Sequence, residues 1–188
     1  MTPNVLLPRM FSTAGGHPVA YLEWINATEA DLPQVDAPVL VDADGNTVQT
    51  AQMPRPSFAQ NVRYFMNYQL NHMYWRYFMW NFAGRQNDIH SPSPGDIFAG
   101  NWESGIGFID NVRLGDQSDA PDYLKNNKGK NHYYMLPLLL GLLGLFFQFA
   151  RDKRGCWLTF LMFFMTGIAV VLYLNQPPFQ VRERDYAY

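Results

Sequence analysis

The sequence predicts a mainly α-helical membrane protein. Its parts are a two-span helical hairpin, an amphipathic interfacial helix and an irregular, loop-rich extracytoplasmic region before it, and a small β-hairpin near the N-terminus. Three observations predict this class. Two long runs without a charge lie near the C-terminus, at 133–149 and 156–174. Charged residues make up only 16% of the 188, against about 25% in an ordinary soluble domain. The mean hydropathy is nonetheless −0.21, so polar and apolar residues are segregated along the chain rather than mixed.

Composition also excludes several classes. With 14 basic and 16 acidic side chains the net charge is −2, which rules out nucleic-acid binding through bulk charge. One cysteine excludes a disulfide framework and a cysteine-built zinc site.

Residues 1–56 read as an irregular polar segment. Pro33 and Pro38 interrupt any helix there. The stretch 37–51, APVLVDADGNTVQTA, reads as two short strands around an Asp-Gly turn. Asp42, Asp44 and Asn46 resemble the start of a calcium loop, but the distant glutamate is missing and the turn reading is preferred. Asn26-Ala27-Thr28 is a glycosylation triplet of a kind that arises often by chance. Met1–Phe11 contains no apolar stretch long enough for a secretory signal, so an extracytoplasmic placement of 1–132 implies further chain upstream.

The interval 57–83 predicts a helix capped by Ser57. Phe58, Val62, Phe65, Met66, Leu70, Met73, Tyr77 and Trp80 recur at steps of three and four, with Gln60, Asn67 and Asn71 opposite. Tyr and Trp at this density suit a helix lying in the headgroup plane; a helix packed into a protein core is the alternative. Residues 84–132, rich in Gly, Pro, Asn and Asp, form an extracytoplasmic loop that Phe98, Trp102 and Phe108 keep ordered.

The interval 133–174 is the transmembrane hairpin. Each run approaches the 20 or so residues that cross a bilayer, and neither keeps the polar stripe of a soluble helix. Pro137 falls in a first helical turn, where a missing N–H costs little. Tyr133, Tyr134, Trp157 and Tyr173 lie at the run ends, where amphipathic rings favour the interface. Arg151, Lys153 and Arg154 in the short link favour a cytoplasmic loop, whereas Lys125, Lys128, Lys130, Arg182 and Arg184 on the flanks count the other way. Residues 175–188 read as an extracytoplasmic Arg/Tyr tail that stops before a further span.

Catalytic signatures are absent from the sequence. His17, His72, His90 and His132 show no ligand spacing, no phosphate-binding glycine loop or nucleophile elbow occurs, and Cys156 reads as a small apolar filler. Two polar clusters remain, Gly84–Asp88 and Arg182–Tyr186. Each reads either as recognition of a phosphorylated headgroup, for which arginine offers a planar fork, or as an ordinary solvated flank.

Longer runs carry more specific information. YQLNHMYWRYFMWNFAGRQND (68–88), NWESGIGFIDN (101–111), LKNNKGKNHYYMLPLLLGLLGL (124–145), RDKRG (151–155) and LNQPPFQVRERDYAY (174–188) occur in that order. Together they resemble the central region of a bacterial polytopic membrane family, formerly a domain of unknown function. That family is grouped with the GT-C glycosyltransferases and related to protein O-mannosyltransferases. VLLPRMFS (5–12) also looks like a family segment.

The resemblance implies an internal fragment of an enzyme that transfers a sugar from a polyprenyl-phosphate donor to Ser or Thr of translocated proteins. No catalytic residue of this chain follows from it, because the family's acidic motif has no counterpart here, and neither a metal nor any other cofactor is implied. It implies a lipid-phosphate site at Arg182, Arg184 and Tyr186, and an acceptor cavity around Arg76, Arg85, Asn87, Asp88 and Trp102. The implied partners are the bilayer, the lipid-linked sugar, an acceptor protein and the missing parts of the same protein encoded nearby. The implied location is the bacterial inner membrane, with 1–132 and 175–188 outside. The other functional class is a non-catalytic, membrane-anchored module that docks to a partner membrane protein.

Overall fold

A computed structural model describes residues 9–41, 47–89 and 93–178. The chain is mainly α-helical. Its described residues fall into two compact units, one running to Asn67 and taking in Pro177 and Pro178, the other covering Tyr68–Gln176.

The first unit contains more regular structure than the sequence suggested. Helix α1 runs His17–Ile25, with Pro18 in its first turn and Asn26 ending it in the left-handed conformation at φ 51°. It buries Ala20, Tyr21, Trp24 and Ile25, and this i, i+1, i+4, i+5 spacing is a one-sided helical stripe. The expectation of an irregular 1–56 is therefore corrected over 17–25. A single 3₁₀ turn follows at Glu29–Asp31, closed by Asp31 Oδ2 accepting from Thr28 N at 2.8 Å. That bond holds the Asp31 carboxyl below its ordinary pKa.

The β-hairpin is present. Strand β1, Gln34–Val41, pairs antiparallel with β2, Thr47–Pro54, from Gln34↔Pro54 to Val41↔Thr47. The register slips just after Pro38, where a residue without an N–H leaves the ladder short of a donor. The Asp-Gly turn at 42–46 lies outside the described residues.

Helix α2, Phe58–Tyr64, starts on Ser57 as expected. Ser57 Oγ accepts from Gln60 N at 3.3 Å, and Gln60 Oε1 accepts from Ser57 N at 2.8 Å. This reciprocal box satisfies two backbone donors at the helix start. Tyr64, fully buried, meets the Tyr21 ring edge-on at 4.8 Å. Arg63 and Asn67 donate to the carbonyls of Ile25 and Trp24, at 3.2 and 3.0 Å, and so satisfy the end of α1.

The predicted long helix is interrupted in kind. Between α2 and helix α3, Arg76–Phe82, the backbone is π-helical over Phe65–Trp75. Each π turn takes in about one residue more than an α turn, so the i, i+3, i+4 stripe does not keep to one side. The buried set is Tyr64, Tyr68, Gln69, Arg76, Met79 and Trp80, whereas Phe58, Met66 and Tyr77 from the expected apolar face are exposed.

In the second unit, α3 leads into a two-residue strand β3, Gly84–Arg85, paired with β4, Asn131–His132. Two short helices fold within the expected loop, α4 at Gly107–Leu114 and α5 at Asp122–Lys125. The apolar part consists of α6, Leu136–Arg151, α7, Lys153–Thr166, and α8, Ile168–Leu174. Tyr134 and Met135 take left-handed φ of 51° and 56°, so α6 begins three residues later than the apolar run. Pro137 sits in its first turn as expected. Asp152 Oδ1 accepts from Gly155 N at 3.0 Å and caps α7.

The aromatic segment packs on α7. Phe163 meets the rings of Tyr74 and Phe78 at 6.4 and 5.8 Å. At Gly167, between α7 and α8, a Cβ would stand 2.6 Å from the Tyr74 hydroxyl and 2.8 Å from its ring. Gly167→Ala is therefore expected to lower the thermal midpoint by displacing Tyr74, and the double variant with Tyr74→Leu to recover most of the loss. A double-mutant cycle followed by circular dichroism in mild detergent checks it; additive losses would show that the contact is not what requires glycine.

Candidate functional site

The polar cluster of the second unit is built where three stretches of backbone meet. Arg85 bridges to Trp102, and β3 pairs with β4. Glu103 N donates to Gly84 O at 3.1 Å, and Tyr133 N to Ala83 O at 2.9 Å. Only glycine fits at 84: φ is 136°, and a Cβ would stand 2.4 Å from Glu103 O.

The expected acceptor-cavity residues divide by role. Arg76, 5% exposed, donates from Nε to His72 O and from Nη1 to Gly100 O, both at 2.9 Å. Arg85 donates from Nε to Gly129 O at 2.9 Å. Both guanidinium groups lie over the Trp80 ring, at 5.1 and 5.6 Å, so one buried indole carries two cations. Asn87 is fully buried. Its Nδ2 donates to Phe98 O at 2.7 Å, and its Oδ1 accepts from Gly100 N at 2.7 Å and Ile89 N at 3.2 Å. These bonds use the amide to fold the 97–101 turn. Asp88, the next residue, is exposed beside Gly129. Trp102 lies 3.8 Å beneath the Arg113 guanidinium, which also donates to the Trp102 carbonyl. The expected lipid-phosphate residues Arg182, Arg184 and Tyr186 lie outside the described residues.

Gln86 belongs to the Gly84–Asp88 cluster that the sequence singles out, whereas Ser104, Asp110 and Gln117 escaped the sequence reading. Gln86 donates to Ile97 O at 2.9 Å and Gln117 Oε1 at 2.8 Å. Asp110 accepts from the Ser104 N–H and hydroxyl, at 2.9 and 3.0 Å, and from Gly105 N at 2.8 Å. Glu103 pairs with Lys130 at 3.2 Å and with His132 at 3.3 Å. Burial draws the Arg113 pKa down to about 10, against the opposing pull of Asp110 and Glu103, which leaves it cationic at neutral pH. The only available signal was the Ser-Gly-x-Gly-x-x-Asp spacing over 104–110, which a lone sequence does not distinguish from a loop.

A cavity of about 100 Å³ opens among Gln86, Asn87, Glu103, Gln117, Lys125 and Lys130. Ligand pockets run to about 300 Å³ and more, so this one has room for a few waters and is small for a sugar ring. Among the described residues no group of three His, Cys, Asp or Glu side chains is placed to hold a metal.

A family of unknown function, DUF8416, matches residues 2–66. The match takes in VLLPRMFS at 5–12 and ends before the runs at 68–188. No curated protein and no solved structure matches the chain.

The Asn87 and Asp88 pair makes the division of roles testable. Asn87→Ala removes three bonds from a buried turn and is expected to cost about 3 kcal/mol; Asp88→Ala is expected to stay within about 0.5 kcal/mol. Hydrogen exchange at the Gly100 and Ile89 amides reads the difference: fast exchange in the first variant, unchanged exchange in the second.

Proposed function

We propose that the chain is a membrane-anchored, non-catalytic module whose polar loop region serves as a docking platform for a partner membrane protein at the bilayer surface. The observation that carries this reading is one helix. Lys153–Leu174 is 22 residues long, apolar enough to cross a membrane, and none of its apolar window is buried within the protein. The shorter apolar helix α6 supports a second crossing. Leu140, Leu143, Phe146 and Phe147 are each 66–69% exposed, and water does not accommodate a patch of that extent. With Tyr133–Met135 in front, the apolar run reaches a spanning length. On this reading α6 and α7–α8 form a two-span hairpin. The module lies in the bacterial inner membrane, with 1–132 and 175–188 on the outer side.

The docking role rests on how the polar side chains are used. Arg76, Arg85 and Asn87 are bound to backbone carbonyls and amides of their own loop, which builds a rigid platform rather than an open reaction site. The ordered runs over 68–188 favour a second reading, a fragment of a GT-C-like glycosyltransferase using a polyprenyl-phosphate sugar and a translocated acceptor protein. Its test is replacement of the counterparts of Arg182 and Arg184 by Ala in a full-length relative: lost sugar transfer with normal insertion supports it, and unchanged transfer removes it.

The anchored reading has its own test. Leu161→Arg, near the middle of the long apolar helix, is expected to oppose insertion by about 3 kcal/mol, whereas Val19→Arg in the first unit leaves insertion unchanged. Resistance of the wild type to alkaline extraction from membranes, with loss in Leu161→Arg only, is the expected result. Full release of the wild type would overturn the reading.

A further inference from the structure

The loop end of the α6–α7 hairpin combines two features that the docking role does not use. The first is a groove of about 360 Å³ between the helices, lined only by Leu145, Phe146, Phe149, Cys156, Trp157 and Phe160. The second is a set of three cations in the short link that joins the two helices. Arg151, Lys153 and Arg154 are all exposed. Among the described residues the ion pairs run from Glu103 to Lys130 and His132, and none reaches these three. The one carboxylate nearby, Asp152, accepts from Gly155 N and is directed into the start of α7.

Lys153 joins the cations to the groove. The Lys153 ammonium lies 6.0 Å from the ring of Phe149, a groove residue, and the Arg151 guanidinium lies 5.5 Å from Phe147, a neighbour on α6 outside the groove lining. An apolar cleft beside a link that carries three cations and one carboxylate fits an amphiphile with an anionic head. Fork-shaped guanidinium groups match phosphate oxygens, and basic sites between membrane helices attract anionic lipid heads.

We propose that this end of the hairpin is a binding site for an anionic phospholipid, its acyl chain in the α6–α7 groove and its phosphate held by Arg151, Lys153 and Arg154. The proposal rests on the membrane-anchored reading. A lipid held there would cover Phe146, Phe149 and Phe160 and fix the angle of the hairpin by bridging both helices.

Trp157 reports on the groove directly. The full chain is reconstituted in phosphatidylcholine vesicles holding a minor fraction of brominated phosphatidylglycerol or, separately, brominated phosphatidylcholine. The Trp157-dependent emission is obtained by difference from Trp157→Phe. The expected result is quenching by the anionic lipid about five- to tenfold above its bulk fraction. That preference is lost in the triple variant Arg151→Gln, Lys153→Gln, Arg154→Gln. Equal quenching by both lipids overturns the site and leaves the anchored reading standing. A Trp157 shielded from both lipids, in a chain that resists alkaline extraction, shows that protein fills the groove and also overturns the site. A chain released by that extraction overturns the site together with the anchored reading.

Discussion

The constraint on which the rest depends is the apolar surface of α6, α7 and α8, most of which the described residues leave uncovered. Sixteen residues of α6 contain no buried position, and α7 buries only Cys156. Burial of apolar area stabilises by roughly 25 cal/mol per Å², so a water-soluble state of these helices would forgo the term that normally drives folding. A medium or a partner that removes that surface from water is part of the folding equilibrium. Helices without a polar stripe present no face suited to water.

That constraint displaces the polar chemistry to the entrance of the hairpin. Tyr134 N donates to Ser104 O at 3.0 Å, and the two left-handed residues that follow turn the chain into α6. Gly105 makes room for this turn, since a Cβ there would stand 2.8 Å from His132 and 3.0 Å from the Tyr134 ring. Left-handed tyrosine and methionine are costly, and they persist here because Ser104, Asp110 and the β3–β4 pair fix the backbone on either side. The loop region is in this sense a clamp on the start of the first apolar helix.

Local signals made parts of the fold legible in the sequence: the Ser57 cap, Pro137 at the start of α6, the strand pair, and the run that became α7 and α8. Each depends on neighbours within a few residues. What was not legible depends on distant ones. Asn87 and Asp88 are adjacent and both polar, yet one is fully buried and the other exposed, because the groups that meet Asn87 lie at Phe98 and Gly100. The buried face of the aromatic helix was misread because periodicity assumes one helical pitch, and the π segment over Phe65–Trp75 changes it. Helix α1 was missed although its stripe is regular, because nine residues between glycines and an asparagine resemble a loop in composition.

The arginines show how a sequence can suggest chemistry that the fold then uses for structure. Arg76 and Arg85 stand in or beside the polar stretch where the sequence leads us to expect an acceptor cavity, and arginine suits phosphate. In the folded chain each donates to a backbone carbonyl and faces the same buried indole. A guanidinium held this way has exchanged water for carbonyl oxygens and a π face, so drawing it toward a substrate phosphate would break a bond of about 1.5–3 kcal/mol before any is gained. Arg151, Lys153 and Arg154 of the α6–α7 link, at the far end of the hairpin from the clamp, are exposed instead. The guanidinium groups of Arg76 and Arg85 thus serve to lock backbone in place, which is a structural use of a charge that the sequence alone suggests for a ligand.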